Sequence, residues 1–184
     1  MLKLDPVWQA DIQQSNFRLL LDAMAYPGRC FALHAVPNEG HVALSVLATL
    51  LDADVTLSDP YNLLSADDWP MLQAKATSAD KADYVLCDAS QLPSFLPKLG
   101  TLPEPDQSAT LIVKVNKLGK GDFKLKLSGP GIKDSEILNV DGLNTEWLSK
   151  RDDWVCAFPL GVDMILLDEQ HVAALPRTTK VEVM

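Results

Sequence analysis

The sequence is poor in the residues that most often declare a chemistry. Its three cysteines, Cys30, Cys87 and Cys156, lie far apart and form no Cys-x-x-Cys pair. An odd, scattered set supports neither a disulfide framework nor a zinc site, and apolar neighbours lead us to expect buried, inert thiols. His34, His41 and His171 show no metal-ligand spacing, and no His-Glu-x-x-His helix exists. His34 follows an apolar run and His41 opens a predicted helix, so structural roles are expected of both. The absence of a Gly-x-x-x-x-Gly-Lys-Ser/Thr loop excludes an ATPase of that type. There is no Gly-x-Ser-x-Gly elbow, and no serine or cysteine has an identifiable base and orienting group. No lysine stands in a recognisable Schiff-base context. Apolar runs are broken by Ser, Thr or Asp well before membrane-spanning length. The Met1–Pro6 segment has no basic region followed by an apolar run, so a cytoplasmic soluble protein is expected.

What is present is the composition of an ordinary globular chain: 184 residues, 47% hydrophobic and 22% charged. That length suits a single domain with a sizeable core. A net charge of -9 argues against general binding to nucleic acid or anionic membrane. Ser15 is a plausible N-cap for a first helix in which Phe17, Leu20, Leu21 and Met24 share one face, and Pro27-Gly28 stops it. A short strand follows at 30–33. A second helix over 41–51 carries only a thin polar stripe, so packing on several sides is expected. Strands are expected at 55–58 and 84–87, with helices at 66–76 and 91–99, the latter broken by Pro93 and Pro97. From Thr110 the pattern turns to strands at 110–115, 123–128, 136–140 and 164–168, with a helix near 144–151. A last strand runs through the alternating Val181-Glu182-Val183. Together these indicate an α/β fold, a mixed sheet flanked by helices.

Three constellations could carry chemistry. Lys114, Lys117, Lys120, Lys124, Lys126 and Lys133 crowd one stretch against only Asp122, leaving 24 acidic and 10 basic residues elsewhere. If 110–115 and 123–128 pair as a hairpin, Leu125 and Leu127 point inward, while Lys114, Lys124 and Lys126 share an outer face. Such a face either meets an acidic partner or polyphosphate, or protects a sheet edge from aggregation. Ser128-Gly129-Pro130-Gly131 follows a strand and could cradle phosphate with backbone N–H groups, but Pro130 removes a donor and a tight turn is favoured. Finally, Arg177-Thr178-Thr179 supplies a planar charged fork and two hydroxyls, a set suited to phosphate or carboxylate oxygens. Asp163, ahead of the apolar Met164-Ile165-Leu166-Leu167, could bind a sugar hydroxyl or pair with Arg177; the pairing is the simpler role.

Four patches occur in an order and spacing that resemble a known family. They are Phe17–Gly28, Leu127–Ile132, Phe158–Asp163 and the terminal Pro176-Arg177-Thr178-Thr179. From about Phe17 to Val183 the chain resembles the H subunit of bacterial carbon–phosphorus lyase. One departure is Lys180, where the family commonly has histidine, so a contribution there would be charge rather than proton transfer. The resemblance implies a reduced variant of the fold of pyridoxal-phosphate-dependent transferases, without the cofactor and with no other cofactor. It also implies work with the G, I and L subunits to attach phosphonate to the ribose of ATP. A core complex of G, H, I and J subunits is implied too, and a homodimer when the chain is alone.

Overall fold

The computed structural model describes residues 6–34 and 41–184, without the side chains of His41 and Asp122. The Met1–Asp5 segment, on which the reading of a missing signal largely rests, lies outside them. A 3-10 turn at Pro6–Trp8 leads into helix α1 (Ala10–Ala25) and strand β1 (Phe31–Ala32). Helix α2 (His41–Leu50), β2 (Thr56–Ser58), the short α3 (Asp68–Leu72), β3 (Lys75–Ala76) and β4 (Tyr84–Asp88) follow. Then come β5 (Thr110–Lys114), β6 (Lys117–Ser128), β7 (Glu136–Asp141), α4 (Glu146–Val155), β8 (Asp163–Leu167), β9 (His171–Leu175) and β10 (Lys180–Val183).

Two sheets organise the described residues. A seven-stranded sheet has the order β1-β9-β8-β5-β4-β2-β3, and a three-stranded sheet the order β10-β6-β7. Strands β3, β2, β4, β5 and β8 run parallel; on one side β9 pairs antiparallel with β8, and β1 antiparallel with β9. The central strands read as continuous apolar runs because both of their faces are covered. Successive side chains enter opposite cores: Leu111 and Val113 meet α4 and the small sheet, whereas Ile112 packs under α1 and α2. Met164 and Leu166 likewise face the first core, Ile165 and Leu167 the second. In the small sheet only one face is buried, by Leu125, Leu127, Leu138 and Val140. Phe95, Trp147 and Trp154 pack ring against ring at 6.2–6.4 Å between centroids. Trp147 Nε1 also donates to the Gln91 carbonyl at 2.8 Å, fixing an irregular loop to α4.

Several expectations are corrected. α1 begins at Ala10, not after Ser15, because Val7 of the preceding turn is already buried against it. Its inward face is Asn16, Leu20, Ala23 and Met24, while Phe17 and Leu21 are exposed. Asn16 is buried because its side-chain oxygen accepts from His34 N at 2.9 Å. Segment 66–76 is only partly helical, since Gln73 turns left-handed (φ 60) and Lys75–Ala76 joins the sheet. No helix forms over 91–99, where the two prolines leave a loop that ends in a bridge between Leu99 and Ser108. Strand β9 was not anticipated. The proposed hairpin of 110–115 with 123–128 does not form, because β5 is inserted between β4 and β8 in the other sheet. Cys87 is buried, but Cys30 and Cys156 are exposed.

Asp168 ties the sheets together. Its carboxylate accepts from Leu118 N at 3.0 Å, Gln170 N at 2.8 Å and His171 N at 2.7 Å. Burial by itself would raise its pKa, but these backbone donors and His171 outweigh that and hold it below the ordinary value. A depressed carboxylate contributes stability above its unfolded pKa that is lost as pH falls through the folded one. Asp168→Asn should therefore be less stable at pH 7 and lose less stability than wild type below about pH 4, read by urea titration across pH. Gly131 has φ +81, and a Cβ there would collide with the Ala25 carbonyl oxygen. Gly131→Ala should cost about 2–3 kcal/mol in the same assay.

Candidate functional site

The four sequence patches, far apart along the chain, converge. Gly131 abuts Ala25 and Pro27 at the end of α1, and Gly129 abuts the Thr178 carbonyl. Gly129 (φ +131) and Gly131 are thus small because backbone passes close by; the Ser128–Gly131 segment is a tight turn. The Pro176–Thr179 turn is closed by Thr179 N donating to Pro176 O at 2.9 Å. It lies between the ends of β9 and β10.

Arg177 of that turn is the centre of the arrangement. Nε and Nη2 donate to Asp163 Oδ2 at 3.2 and 2.6 Å, and the Arg177 backbone N–H donates to Asp163 Oδ1 at 2.7 Å. Nη1 donates to the carbonyls of Pro105 at 2.9 Å and Pro159 at 3.2 Å, while Nη2 also reaches Ser108 Oγ at 2.5 Å. A guanidinium has five N–H donors, and all five are engaged within the chain. The pairing with Asp163 is present, and the fork does more, binding the 105–108 loop, the Phe158–Asp163 patch and the C-terminal turn to one another.

A second arginine holds the same turn from behind. Arg151 of α4 is 1% exposed, and its Nη2 donates to Pro176 O at 2.7 Å and Thr179 O at 2.8 Å. Desolvation pulls its pKa down, while Asp152 and Asp163 oppose that. Its Nε and the buried Thr179 Oγ1 have no hydrogen-bond partner among the described residues. Sequence reasoning missed Arg151, although a signal existed. It falls on the buried face of its helix, at helical spacing from Trp147, Leu148 and Trp154.

Beside this turn runs a cleft of about 550 Å³, lined by Arg151, Arg177, Thr178, Thr179 and Lys180 together with Phe158 and Glu182. Thr178 and Lys180 are exposed and Thr179 is not. The structure thus gathers Arg177, Thr178, Thr179 and Asp163, with Gly129 behind them. The lysines separate. Lys114 ends β5 in the large sheet beside Asp88, whereas Lys124 and Lys126 lie on the outer face of the small sheet. Lys126 pairs with Glu182 at 3.2 Å, an exposed contact of small energetic weight. A second cleft, about 640 Å³, opens near the carboxyl end of β2 between Asp59, Trp69, Asp80 and Phe95 and contains none of these residues.

Nucleophilic chemistry finds little purchase in Cys30 or Cys87. Burial and then Asp168 push Cys30 up, and burial holds Cys87 well above the ordinary thiol value. Among the described residues no group of three or more His, Cys, Asp or Glu could hold a metal ion. No described helix is long and apolar enough to cross a membrane.

The family model for the bacterial phosphonate metabolism protein PhnH matches residues 6–182. The chain belongs to the PhnH family. It is 41% identical over 177 residues to a Stutzerimonas stutzeri protein named as the C-P lyase subunit protein HtxG, covering 96% of this chain and 89% of that one. It is also 35% identical over 192 residues to a Rhizobium meliloti (strain 1021) protein named as subunit PhnH of alpha-D-ribose 1-methylphosphonate 5-triphosphate synthase, covering 97% and 92%. All four converging patches lie within the matched span.

The saturation of Arg177 has a direct consequence. Arg177→Ala strands Asp163 and three further acceptors, and should cost about 3–5 kcal/mol in urea unfolding. Arg177→Lys should recover less than half of that, because an ammonium with three donors cannot reach five acceptor positions. Near-wild-type stability of Arg177→Lys would show that charge alone suffices.

Proposed function

We propose that this PhnH-family chain is an accessory, non-catalytic subunit of a carbon–phosphorus lyase core complex. In this reading it is required, with the G, I and L subunits, to make ribose 1-methylphosphonate 5-triphosphate from ATP and a phosphonate. The J subunit, a further partner in the core, cuts the carbon–phosphorus bond later. The reading draws on the family match over nearly the whole chain and on the names of the two relatives. The observation that carries the accessory role is the state of Arg177. The most conspicuous candidate cation spends every donor on holding its own chain together. A group committed in this way builds a rigid platform and has none left for a substrate anion.

A second reading makes the same subunit a nucleotide- or phosphonate-binding module. It draws on the cleft beside Thr178 and Lys180, whose exposed hydroxyl and ammonium are not committed as Arg177 is. We also propose that the mixed sheet is a reduced relative of the pyridoxal-phosphate-dependent transferase fold without that cofactor. The protein would be cytoplasmic, and a homodimer when isolated, with exposed Phe17, Leu21 and Tyr26 of the α1 region among its apolar surface.

The purified chain should not convert ATP and methylphosphonate, whereas addition of the partner subunits should restore turnover that depends on this chain. Product formed by the chain alone, persisting after contaminating subunits are removed, would overturn the accessory role. Saturable binding of ATP or methylphosphonate to the isolated chain, abolished by Lys180→Glu, would favour the binding module.

A further inference from the structure

Strand β10 is an open edge. It pairs with β6 alone, in the register Lys180–Ser128, Val181–Leu127, Glu182–Lys126 and Val183–Leu125. Met184 N donates to Lys124 O at 3.0 Å, which fixes the alternation of an antiparallel ladder. Residues 180 and 182 exchange bonds with β6, so Val181 and Val183 direct their N–H and C=O groups the other way. No described backbone group pairs with them there. The preceding outward carbonyl, that of Thr179, is taken by Arg151 Nη2 at 2.8 Å. Helix α4 therefore covers the edge at Thr179 and leaves it bare beyond, where the 550 Å³ cleft runs alongside.

The two faces of this edge differ. On the outer face Lys124, Lys126 and Lys180 stand against Glu182, which is bound to Lys126. Lys124 and Lys180 have no carboxylate within ion-pair distance among the described residues, so the face has a surplus of positive charge on a chain of net charge -9. The other side carries apolar surface: Val183 is 55% exposed, and Phe158, 68% exposed, lines the cleft with Val155, although Asp152, Arg151 and Arg177 also reach the cleft.

We propose that β10 accepts an extended segment of a partner polypeptide, which adds a fourth strand to the small sheet. Its apolar side chains would cover Val183 and Phe158, and acidic ones at alternating positions would face Lys180 and the lysines behind it. Backbone bonds to Val181 and Val183 supply affinity, and the alternating side chains supply selection. A second copy of this chain is the poorer occupant, because it brings the same positive surplus to the outer face. The inference rests on the reading of the chain as a subunit of a complex.

Val183→Pro tests it with little disturbance of the fold. Proline removes an outward N–H, spares every bond to β6 and suits an edge strand. The variant should match wild type in melting temperature, yet bind the co-expressed remaining lyase subunits about tenfold more weakly or worse. In the wild-type complex, hydrogen exchange at the Val181 and Val183 amides should slow by about tenfold or more, while Lys180 and Glu182, already bonded, change little. Undiminished assembly of the folded variant, or unchanged exchange at both valines in the assembled complex, overturns the edge pairing and leaves the subunit reading intact. Failure of the wild-type chain to assemble at all sinks both. Slowed exchange that grows with concentration of the isolated chain assigns the edge to a second copy and overturns the partner strand.

Discussion

Everything near the candidate site depends on the saturation of one guanidinium. Arg177 meets a carboxylate, a hydroxyl and two backbone carbonyls drawn from two segments, and so joins both to its own turn. A planar fork with five donors in fixed directions can satisfy such a set only if those segments are held in one arrangement. Asp163 is itself anchored as the first residue of a buried parallel strand, so the fork transmits the rigidity of the large sheet to the C-terminal turn. Arg151 grips the same turn from α4 through the Pro176 and Thr179 carbonyls. Two arginines thus immobilise four residues, from which β10 departs toward the small sheet.

That arrangement explains why short, distant patches characterise the chain. Glycines at 129 and 131 are small because the Thr178 and Ala25 carbonyls press against them. The end of α1, the glycine turn, the Phe158–Asp163 patch and the terminal turn each supply one wall of a single junction. The junction also sets the exposed edge of β10 and the cleft at a defined place, which suits a part made to be docked against.

Much of the secondary structure was legible because it is driven by local pattern. The short apolar runs of Tyr84–Asp88 and Thr110–Lys114, the stop at Pro27-Gly28 and the Val181–Val183 alternation are all signals carried by adjacent residues. Errors fell where tertiary contact overrides pattern. Phe17 and Leu21 fit a helical stripe as well as Leu20 does, but Asn16 is the residue drawn inward, by the backbone of His34. Lys114 and Lys124 look like neighbours across a hairpin, yet β5 is claimed by two strands of the large sheet and β6 by the small one. Of the candidate site, the Asp163–Arg177 pair was readable from the placement of opposite charges at strand ends. Arg151 was passed over because the charged run Lys150-Arg151-Asp152-Asp153 looks solvated.

The sequence by itself determined the α/β class, through local periodicity, and the family, through four motifs in a fixed order; it offered the pairing of Arg177 with Asp163 as the simpler of two roles. Only the tertiary structure decided that Arg177 has no donor to spare, that Arg151 stands behind the turn and that Val181 and Val183 present an unpaired edge. Those facts depend on which carbonyls lie within about 3 Å of a given nitrogen and on which strand takes which neighbour. Such distances join residues 14 to 72 positions apart, for which no local pattern carries a signal.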